Sequence, residues 1–196
     1  MAPAPSETTG DRERWNAKFM AGEAQLSDPD ALVVEACAGL PPGRALDLAG
    51  GAGRHAIWLA QRGWQVTLAD VSDEGLALAG KKAADAGVAV AIRRESLEET
   101  VAWALQSAAG GGVGGFDLIV VVWFLARAVF GELPRMLTPG GLLVYKTYTS
   151  EHERFGQGHS LRYALEPGEL GRAFPALDTV LSRESDGVAE YVGRAR

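Results

Sequence analysis

The chain has 196 residues, of which 47% are hydrophobic, and this size and composition fit one domain with a sizeable core. Nineteen lysines and arginines against 25 aspartates and glutamates give a net charge of -6, which disfavours a surface that neutralises many phosphates. Nucleic acid is therefore not expected as the main partner. The single cysteine, Cys37, excludes an internal disulfide and a thiolate metal cluster, and the scattered histidines do not suggest a metal site.

Residues 1–10 lack the positive segment and apolar run of a signal peptide, so we expect a disordered start. No apolar run approaches the roughly 18 residues of a membrane span, and a cytoplasmic protein is expected. Residues 11–196 are predicted to form a single domain, with cap helices over 11–43 and a sheet core over 44–196. The first helix is predicted over 11–22, and the second begins at Ser27-Asp28-Pro29 and runs to Gly39.

Residues 44–70 have the pattern of strand, glycine turn, helix and strand. A short apolar run is followed by the glycines of GGAG, a helically spaced stretch over 54–62, and Gly63 in a position typical of a helix end. The second strand ends at Asp70, 17 positions after Gly53. A carboxylate at this spacing suits hydrogen bonds from ribose hydroxyls, while backbone N–H groups face the rest of a ligand. The glycine pattern fits dinucleotide and adenosylmethionine sites equally.

The middle of the chain continues the alternation of helices and strands. Ser72 is a predicted N-cap for a helix ending near Gly87, and it is followed by a strand over 88–93 and a helix over 97–108. The glycine-rich stretch 110–115 predicts a flexible surface loop. Residues 116–123 are uniformly apolar, which predicts a central strand covered on both faces.

The C-terminal third carries the less regular predictions. A helix is expected over 126–137 with a kink or break at Gly131 and Pro134, followed by a turn over 138–141 and a strand over 142–148. The polar stretch 149–165 has no period, and loops of this kind at strand exits usually carry function. A short helix over 166–174 precedes two strands over 177–183 and 188–194. Asp186-Gly187 between them is a strong hairpin signal, so this pair is expected to run antiparallel.

Taken together, these residues resemble the class I S-adenosylmethionine-dependent methyltransferases, and more narrowly the small enzymes similar to tellurite-resistance methyltransferases. The family's D-x-G-x-G-x-G turn resembles residues 47–53, its ribose-binding acid resembles Asp70, and Pro139-Gly140-Gly141 matches its turn before strand five. The resemblance implies an α/β, Rossmann-like three-layer sandwich. Its seven-stranded, mostly parallel sheet would have the order 3-2-1-4-5-7-6, with an antiparallel strand 7.

The resemblance also implies S-adenosylmethionine as the cofactor and methyl transfer to a small-molecule acceptor, without nucleic acid, membrane or metal, by a monomer or homodimer. The implied cofactor-binding residues are Trp15, Asp47, Ala49, Gly50, Gly51, Gly53, Arg54, His55, Asp70, Val71, Ser96, Leu97, Val122 and Trp123. Candidate catalytic residues, taken from the ends of strands four and five, are Arg127, Tyr148 and His152, and His159 and Arg162 lie in the same loop.

Three positions depart from the family pattern. Ala49 stands where the first glycine is usual, and we expect it to keep a negative φ at the end of its strand. Ser96 stands where an aspartate usually holds the adenine amino group, and either its hydroxyl or Glu95 would replace that acid. Lys146 replaces an acid at the end of strand five, which bears on the substrate more than on the cofactor.

Two alternatives stay open at this point. A nicotinamide-dependent oxidoreductase would share the glycine turn, although it requires neither Asp47 nor the Asp186-Gly187 hairpin. A binding protein that keeps the fold without turnover would account for the three departures.

Overall fold

The computed structural model describes residues 9–23, 27–109 and 115–196. The predicted disorder at 1–8 and most of the predicted glycine-rich loop, at 110–114, lie outside these residues. The first helix includes Thr9 and Gly10, so it begins two residues earlier than predicted.

One sheet of seven strands organises the described part of the chain. The strands are β1 Arg44–Leu48, β2 Gln65–Asp70, β3 Ala91–Arg94, β4 Phe116–Val122, β5 Leu137–Tyr148, β6 Leu177–Ser185 and β7 Val188–Ala195. Their order is β3-β2-β1-β4-β5-β7-β6, and β7 runs antiparallel to both of its neighbours, as predicted. The hairpin is confirmed as well, because Asp186 and Gly187 have φ of 52° and 69°, the two positive values of a type I′ turn.

The helices cover the sheet and its carboxyl-end edge. They are α1 Thr9–Met20, α2 Ala31–Cys37, α3 Arg54–Ala60, α4 Asp73–Asp85, α5 Leu97–Ala109, α6 Glu153–Gly156 and α7 Glu169–Arg172. Ser72 caps α4 as predicted, since its side chain accepts the Gly75 N–H at 3.0 Å. The prediction that α2 begins at Ser27-Asp28-Pro29 is wrong. The N-cap of α2 is Asp30, which accepts the Leu32 N–H at 3.0 Å, and Pro29 lies before the cap.

The core lies on both faces of the sheet. Side chains alternate along β4, so Ile119 and Val121 join the cluster on one face while Leu118 and Val120 join the cluster on the other. All four are at most 2% exposed. This confirms β4 as a central strand covered on both faces, and it explains why its sequence shows no polar alternation.

The helix predicted over 126–137 is wrong. This stretch forms two short 3-10 helices, Arg127–Val129 and Leu133–Met136, on either side of Gly131. Pro134 lacks the N–H that a continuous α-helix would need, and Leu133 and Met136 are almost fully buried. Packing against the sheet therefore decides the conformation here. The helix predicted over 166–174 is likewise reduced to the four residues of α7.

Helix α1 lies over the glycine turn. Its Phe19 is 5% exposed, and the ring atom Cζ lies 2.7 Å from where a Cβ on Gly51 would be. Polar contacts bind α1 to the start of α4: Arg12 pairs with Asp73 at 2.7 Å, and the Ser72 hydroxyl donates to Asn16 Oδ1 at 2.7 Å. Through these contacts α1 covers the carboxyl ends of β1 and β2.

Candidate functional site

The glycine turn after β1 is held by backbone conformations that favour glycine. Gly51 and Gly53 have φ of 54° and 76°. Residue 50 must be glycine for a different reason, because a Cβ there would lie 2.3 Å from Leu68 Cδ1 and 2.6 Å from the Asp47 carboxylate. Close packing of turn, sheet and carboxylate therefore excludes larger residues.

Ala49 adopts the conformation of the glycine that it replaces. Its φ is 53°, so the expectation of a negative φ is wrong. An L-residue in this left-handed region carries a strain of about 1–2 kcal/mol. The turn thus holds Ala49 in a strained conformation.

Asp47 supports the turn from below. It is 1% exposed, and its carboxylate accepts the Ala56 N–H at 3.1 Å, while His55 Nδ1 lies 3.8 Å from its other oxygen. Asp47 therefore fixes the first turn of α3. It is not among the residues that line the cavity described next.

Asp70 connects the glycine turn to the loop after β2. One carboxylate oxygen accepts the Gly51 N–H and the other accepts the Ser72 N–H, each at 2.8 Å. Burial raises the pKa of Asp70 above its usual value, the charge of Asp47 raises it further, and these backbone N–H groups oppose the rise. The carboxylate is thus held in position while it still faces the cavity.

A first cavity of about 230 Å³ opens at the carboxyl ends of β1, β2 and β4. It brings together ten of the predicted cofactor residues: Trp15, Ala49, Gly50, Gly51, Arg54, His55, Asp70, Val71, Val122 and Trp123. Its remaining wall comes from Phe19, Glu23, Ala52 and Phe124, which were not predicted as site residues. The position of Phe19 on a helix with Trp15 was the available signal, since residues four apart share a helix face.

Gly53, Ser96 and Leu97, like Asp47, lie outside the wall of the first cavity. Gly53 is the N-cap of α3. Ser96 forms a capping box at the start of α5: its hydroxyl accepts the Glu99 N–H at 3.2 Å, and the Ser96 N–H donates to the Glu99 carboxylate at 2.8 Å. The Ser96 hydroxyl keeps a second lone pair, so its contact with an adenine amino group stays a prediction. Leu97 instead lines a recess of about 10 Å³ beside Asp70 and Glu95.

A second cavity of about 480 Å³ adjoins the first. Its wall consists of Arg14, Trp15, Lys18, Trp123, Phe124, Leu125, Thr147, Tyr148, Arg154, Phe155, His159, Ser160 and Tyr163. The segment over 149–165, singled out in the sequence as a loop at a strand exit, supplies five of these residues. Trp15, Trp123 and Phe124 line both cavities and form their common wall.

The structure separates the three catalytic candidates. Tyr148 lines the second cavity. His152 accepts the Arg154 N–H at 3.2 Å as the cap of α6, and its ring lies edge-on against Tyr148 outside that wall. Arg127 holds both oxygens of Glu169, at 2.5 and 2.7 Å, and also the Ala164 carbonyl. Arg127 and His152 thus make structural contacts and do not line the second cavity, and their assignment to catalysis stays a prediction.

Comparison with known proteins gives a consistent family. A family model for a methyltransferase domain matches residues 45–141. The crystal structure of TehB from Haemophilus influenzae superposes with a TM-score of 0.71 at 15% identity, covering 91% of this chain and 66% of that one. Magnesium protoporphyrin IX methyltransferase from Synechocystis PCC 6803, solved with bound SAH, has a TM-score of 0.68 at 14% identity, covering 97% and 100%. The chain belongs to the class I S-adenosylmethionine-dependent methyltransferases.

One curated relative differs in length from this methyltransferase. Ribosomal RNA small subunit methyltransferase C from Alcanivorax borkumensis is 26% identical over 146 residues, which cover 68% of this chain. The present chain spans 42% of the length of that relative and about two thirds of the length of TehB. The family assignment removes the nicotinamide-dependent oxidoreductase as an alternative and makes S-adenosylmethionine the cofactor.

The residues of the first cavity fit that cofactor. His55 is 3% exposed, and its Nε2 has no hydrogen-bond partner among the described residues although it belongs to a cavity wall. A buried polar atom without a partner costs about 1–3 kcal/mol, which a polar ligand atom would recover. Arg54 stands beside it. Burial lowers the pKa of its guanidinium, and the charges of Asp30 and Asp47 oppose this effect.

Lys146 of the methyltransferase is not among the residues that line either cavity, although its Nζ lies 5.1 Å from the centre of the Trp123 ring. Its ammonium lies 3.0 Å from Asp30 and 2.8 Å from Glu190, so it connects α2 to β5 and β7. Burial lowers the pKa of Lys146, but these two carboxylates outweigh burial and raise it. Lys146 thus serves an ion-pair network, and its bearing on the substrate stays a prediction.

Two further properties follow from the described residues. They contain no group of three His, Cys, Asp or Glu side chains placed to hold a metal ion. None of the helices within the described ranges combines the length and the apolar character needed to cross a bilayer.

Proposed function

We propose that this methyltransferase transfers a methyl group in line to a small molecule held in the second cavity. The observation that carries the proposal is the common wall of Trp15, Trp123 and Phe124. These three side chains line the place where the two cavities adjoin, so a cofactor in the first cavity and an acceptor in the second would come into contact there. Both cavities also lie at the carboxyl ends of parallel strands, where ligands of such sheets bind.

The first cavity offers a separate partner for each polar part of the cofactor. Asp70 would accept hydrogen bonds from the ribose hydroxyls, because its two oxygens retain acceptor capacity beside their backbone donors. His55 and Arg54 would meet the cofactor carboxylate, and the glycine turn would lie along the chain between them. These assignments rest on the positions of the side chains in one cavity wall.

When bound, the cofactor would supply a sulfonium methyl as the electrophile and a neutral thioether as the leaving group, and the methylated acceptor would give up a proton. The protein contributes mainly proximity and orientation. Its aromatic wall would exclude water from the reacting atoms. Of the three predicted catalytic residues, Tyr148 lines the second cavity, and its hydroxyl would orient the acceptor or pass the proton to solvent.

Size and charge support a small acceptor. The volume of about 480 Å³ lies within the roughly 300–1,000 Å³ typical of small-molecule sites. The net charge of -6 argues against an extended phosphate backbone as the partner. The activity named for the ribosomal relative stays with that longer protein. The cytoplasmic location, the single domain and the oligomeric state, monomer or homodimer, remain predictions.

Calorimetric titration with S-adenosylhomocysteine, followed by mass spectrometry of a panel of thiols, amines and hydroxyl compounds incubated with S-adenosylmethionine, tests the proposal. We expect binding at one site and methylation of at least one compound. Absence of binding heat would contradict the cofactor site. Binding with no methylation across the panel would favour the non-catalytic alternative, and transfer to RNA alone would contradict a small acceptor.

A further inference from the structure

The second cavity carries a charge opposite to that of the whole chain. Arg14, Lys18 and Arg154 line it, and no aspartate or glutamate is found among the described residues of its wall. The protein as a whole has a net charge of -6, so the positive charge of this wall is a local property of the second cavity. Clefts lined by one sign of charge concentrate ligands of the opposite sign.

Two of these cations are available to a ligand. Within the described part of the chain, neither Lys18 nor Arg154 has a carboxylate partner. Lys18 Nζ lies 4.7 Å from the centre of the Trp15 ring, and the Arg154 guanidinium carbon lies 4.3 Å from the centre of the Tyr148 ring. Arg14 is different, because it already pairs with Asp11 at 2.9 Å. Lys18 and Arg154 thus sit on aromatic faces with their charges uncompensated.

Aromatic rings form most of the remaining wall. They belong to Trp15, Trp123, Phe124, Tyr148, Phe155 and Tyr163. Rings of this kind recognise flat, apolar surfaces by offset or edge-on stacking, at about 0.5–1.5 kcal/mol per pair beyond the burial of area. They offer little to a small hydrated oxyanion or an aliphatic acid.

We propose that the methyl acceptor is a planar aromatic compound carrying an anionic group such as a carboxylate. This inference rests on the proposed function, since it concerns the occupant of the same second cavity. Its ring would lie among the aromatic side chains, and its anionic group would pair with Lys18 and Arg154. A hydroxyl, amine or thiol on that ring would face the common wall as the nucleophile, and its proton would leave to solvent as the methyl is received.

Binding to the intact chain saturated with S-adenosylhomocysteine tests the inference without requiring turnover. The probes are para-hydroxybenzoate, its neutral amide para-hydroxybenzamide, and the non-aromatic cyclohexanecarboxylate, each titrated by calorimetry. We expect para-hydroxybenzoate to bind at least about tenfold more tightly than either comparison compound, because only it satisfies both the rings and the cations. Equal affinity for the acid and its amide would overturn the inference, and so would tighter binding of a single-stranded RNA oligonucleotide at the same site.

Variants locate the effect. Lys18→Gln and Arg154→Gln should each weaken para-hydroxybenzoate binding by about tenfold, the loss of one charge-assisted contact. Lys81→Gln is the control, since it removes an exposed cation from α4, away from the cavity wall. S-adenosylhomocysteine affinity should be unchanged in all three. If the wild-type chain fails to bind S-adenosylhomocysteine, the proposed function fails. If that ligand binds and Lys18→Gln and Arg154→Gln bind the acid as the control does, this inference alone fails.

Discussion

The indole ring of Trp123 stacks on the phenol ring of Tyr148, with 4.5 Å between the ring centres and 24° between their planes. Trp123 directly follows β4 and has a φ of 62°, and its N–H donates to the Lys146 carbonyl at 2.8 Å. Two neighbouring strands therefore hold the stacked pair. Trp123 lines both cavities and Tyr148 lines the second, so this pair determines the shape of the region where the two cavities adjoin.

Tyr148→Phe and Tyr148→Leu should separate the roles of ring and hydroxyl. The phenylalanine variant keeps the stack, so its free energy of unfolding should stay within about 0.5 kcal/mol of wild type. The leucine variant loses the ring contact and should be destabilised by about 1 kcal/mol or more. Urea unfolding measures both. If phenylalanine destabilises as much as leucine, the hydroxyl rather than the stack holds this wall.

Ala49→Gly should stabilise the protein. Glycine removes the left-handed strain of about 1–2 kcal/mol. It also gives the unfolded chain more conformational freedom, which costs the folded state about 0.4–1 kcal/mol. The matched control is Ala52→Gly, at a buried position of the same turn without a positive φ, where only the losses apply. Chemical denaturation should show opposite signs for the two variants. A destabilised Ala49→Gly would show that residue 49 is not strained.

His55→Leu should reduce the affinity for S-adenosylhomocysteine. The buried Nε2 without a partner is the atom that we assign to the cofactor, and its removal should weaken binding by about tenfold. Thermal denaturation with and without the ligand measures the effect as a smaller ligand-induced rise in Tm. The control, His159→Leu, removes a histidine from the wall of the second cavity and should leave that rise unchanged. Equal effects in both variants would contradict the assignment of His55.

Cofactor affinity should depend on the ionisation of Asp70. Burial raises the pKa of this carboxyl in the free protein, whereas hydrogen bonds from ribose hydroxyls favour the ionised form. Affinity for S-adenosylhomocysteine should therefore fall as the pH falls through that raised pKa. Asp70→Asn should bind the ligand weakly at every pH and lack this dependence, and Asp85→Asn, at an exposed position, should behave as wild type. Calorimetry across acidic pH measures both, and an unchanged Asp70→Asn profile would show that another acid binds the ribose.

Lys146→Met should destabilise the protein by about 3 kcal/mol, because it leaves the Asp30 carboxylate buried without its ion-pair partner and Glu190 with Arg183 alone. Arg183→Gln is a matched control in the same network, since Arg183 also pairs with Glu190 but is 52% exposed. Its effect on urea unfolding should be much smaller. Similar losses for the two variants would mean that burial does not decide the strength of this network.

The same network predicts a pH dependence of stability. Burial raises the pKa of Glu190, but hydrogen bonds from Lys146 and Arg183 outweigh it and hold the pKa below its usual value. The resulting stability is present above the pKa of the unfolded chain and is lost as the pH falls through the lower folded value. Glu190→Gln should therefore flatten the acid side of the stability curve. An unchanged slope would show that other carboxyl groups control acid unfolding.

Local sequence signals determined the elements around the cofactor. The glycine turn, the helix after it and the acid at the end of β2 follow from backbone preferences and short-range spacing, and the structure has them where the sequence predicted them. The antiparallel hairpin followed from Asp186-Gly187, because two positive φ values suit few other residue pairs. These features depend on neighbours in the chain, so they are readable without the fold.

Long-range packing decided the rest. The sequence could not show that Arg127 would meet Glu169, or that Lys146 would meet Asp30 and Glu190. It also could not bring Lys18 and Arg154, which lie 136 positions apart, to one cavity. Spacing along the chain fixes local conformation, whereas the partner of a charged or aromatic side chain is set by which elements the sheet order makes neighbours. For this reason the sequence by itself located the cofactor site, and only the tertiary structure assembled the second cavity from which the acceptor is proposed.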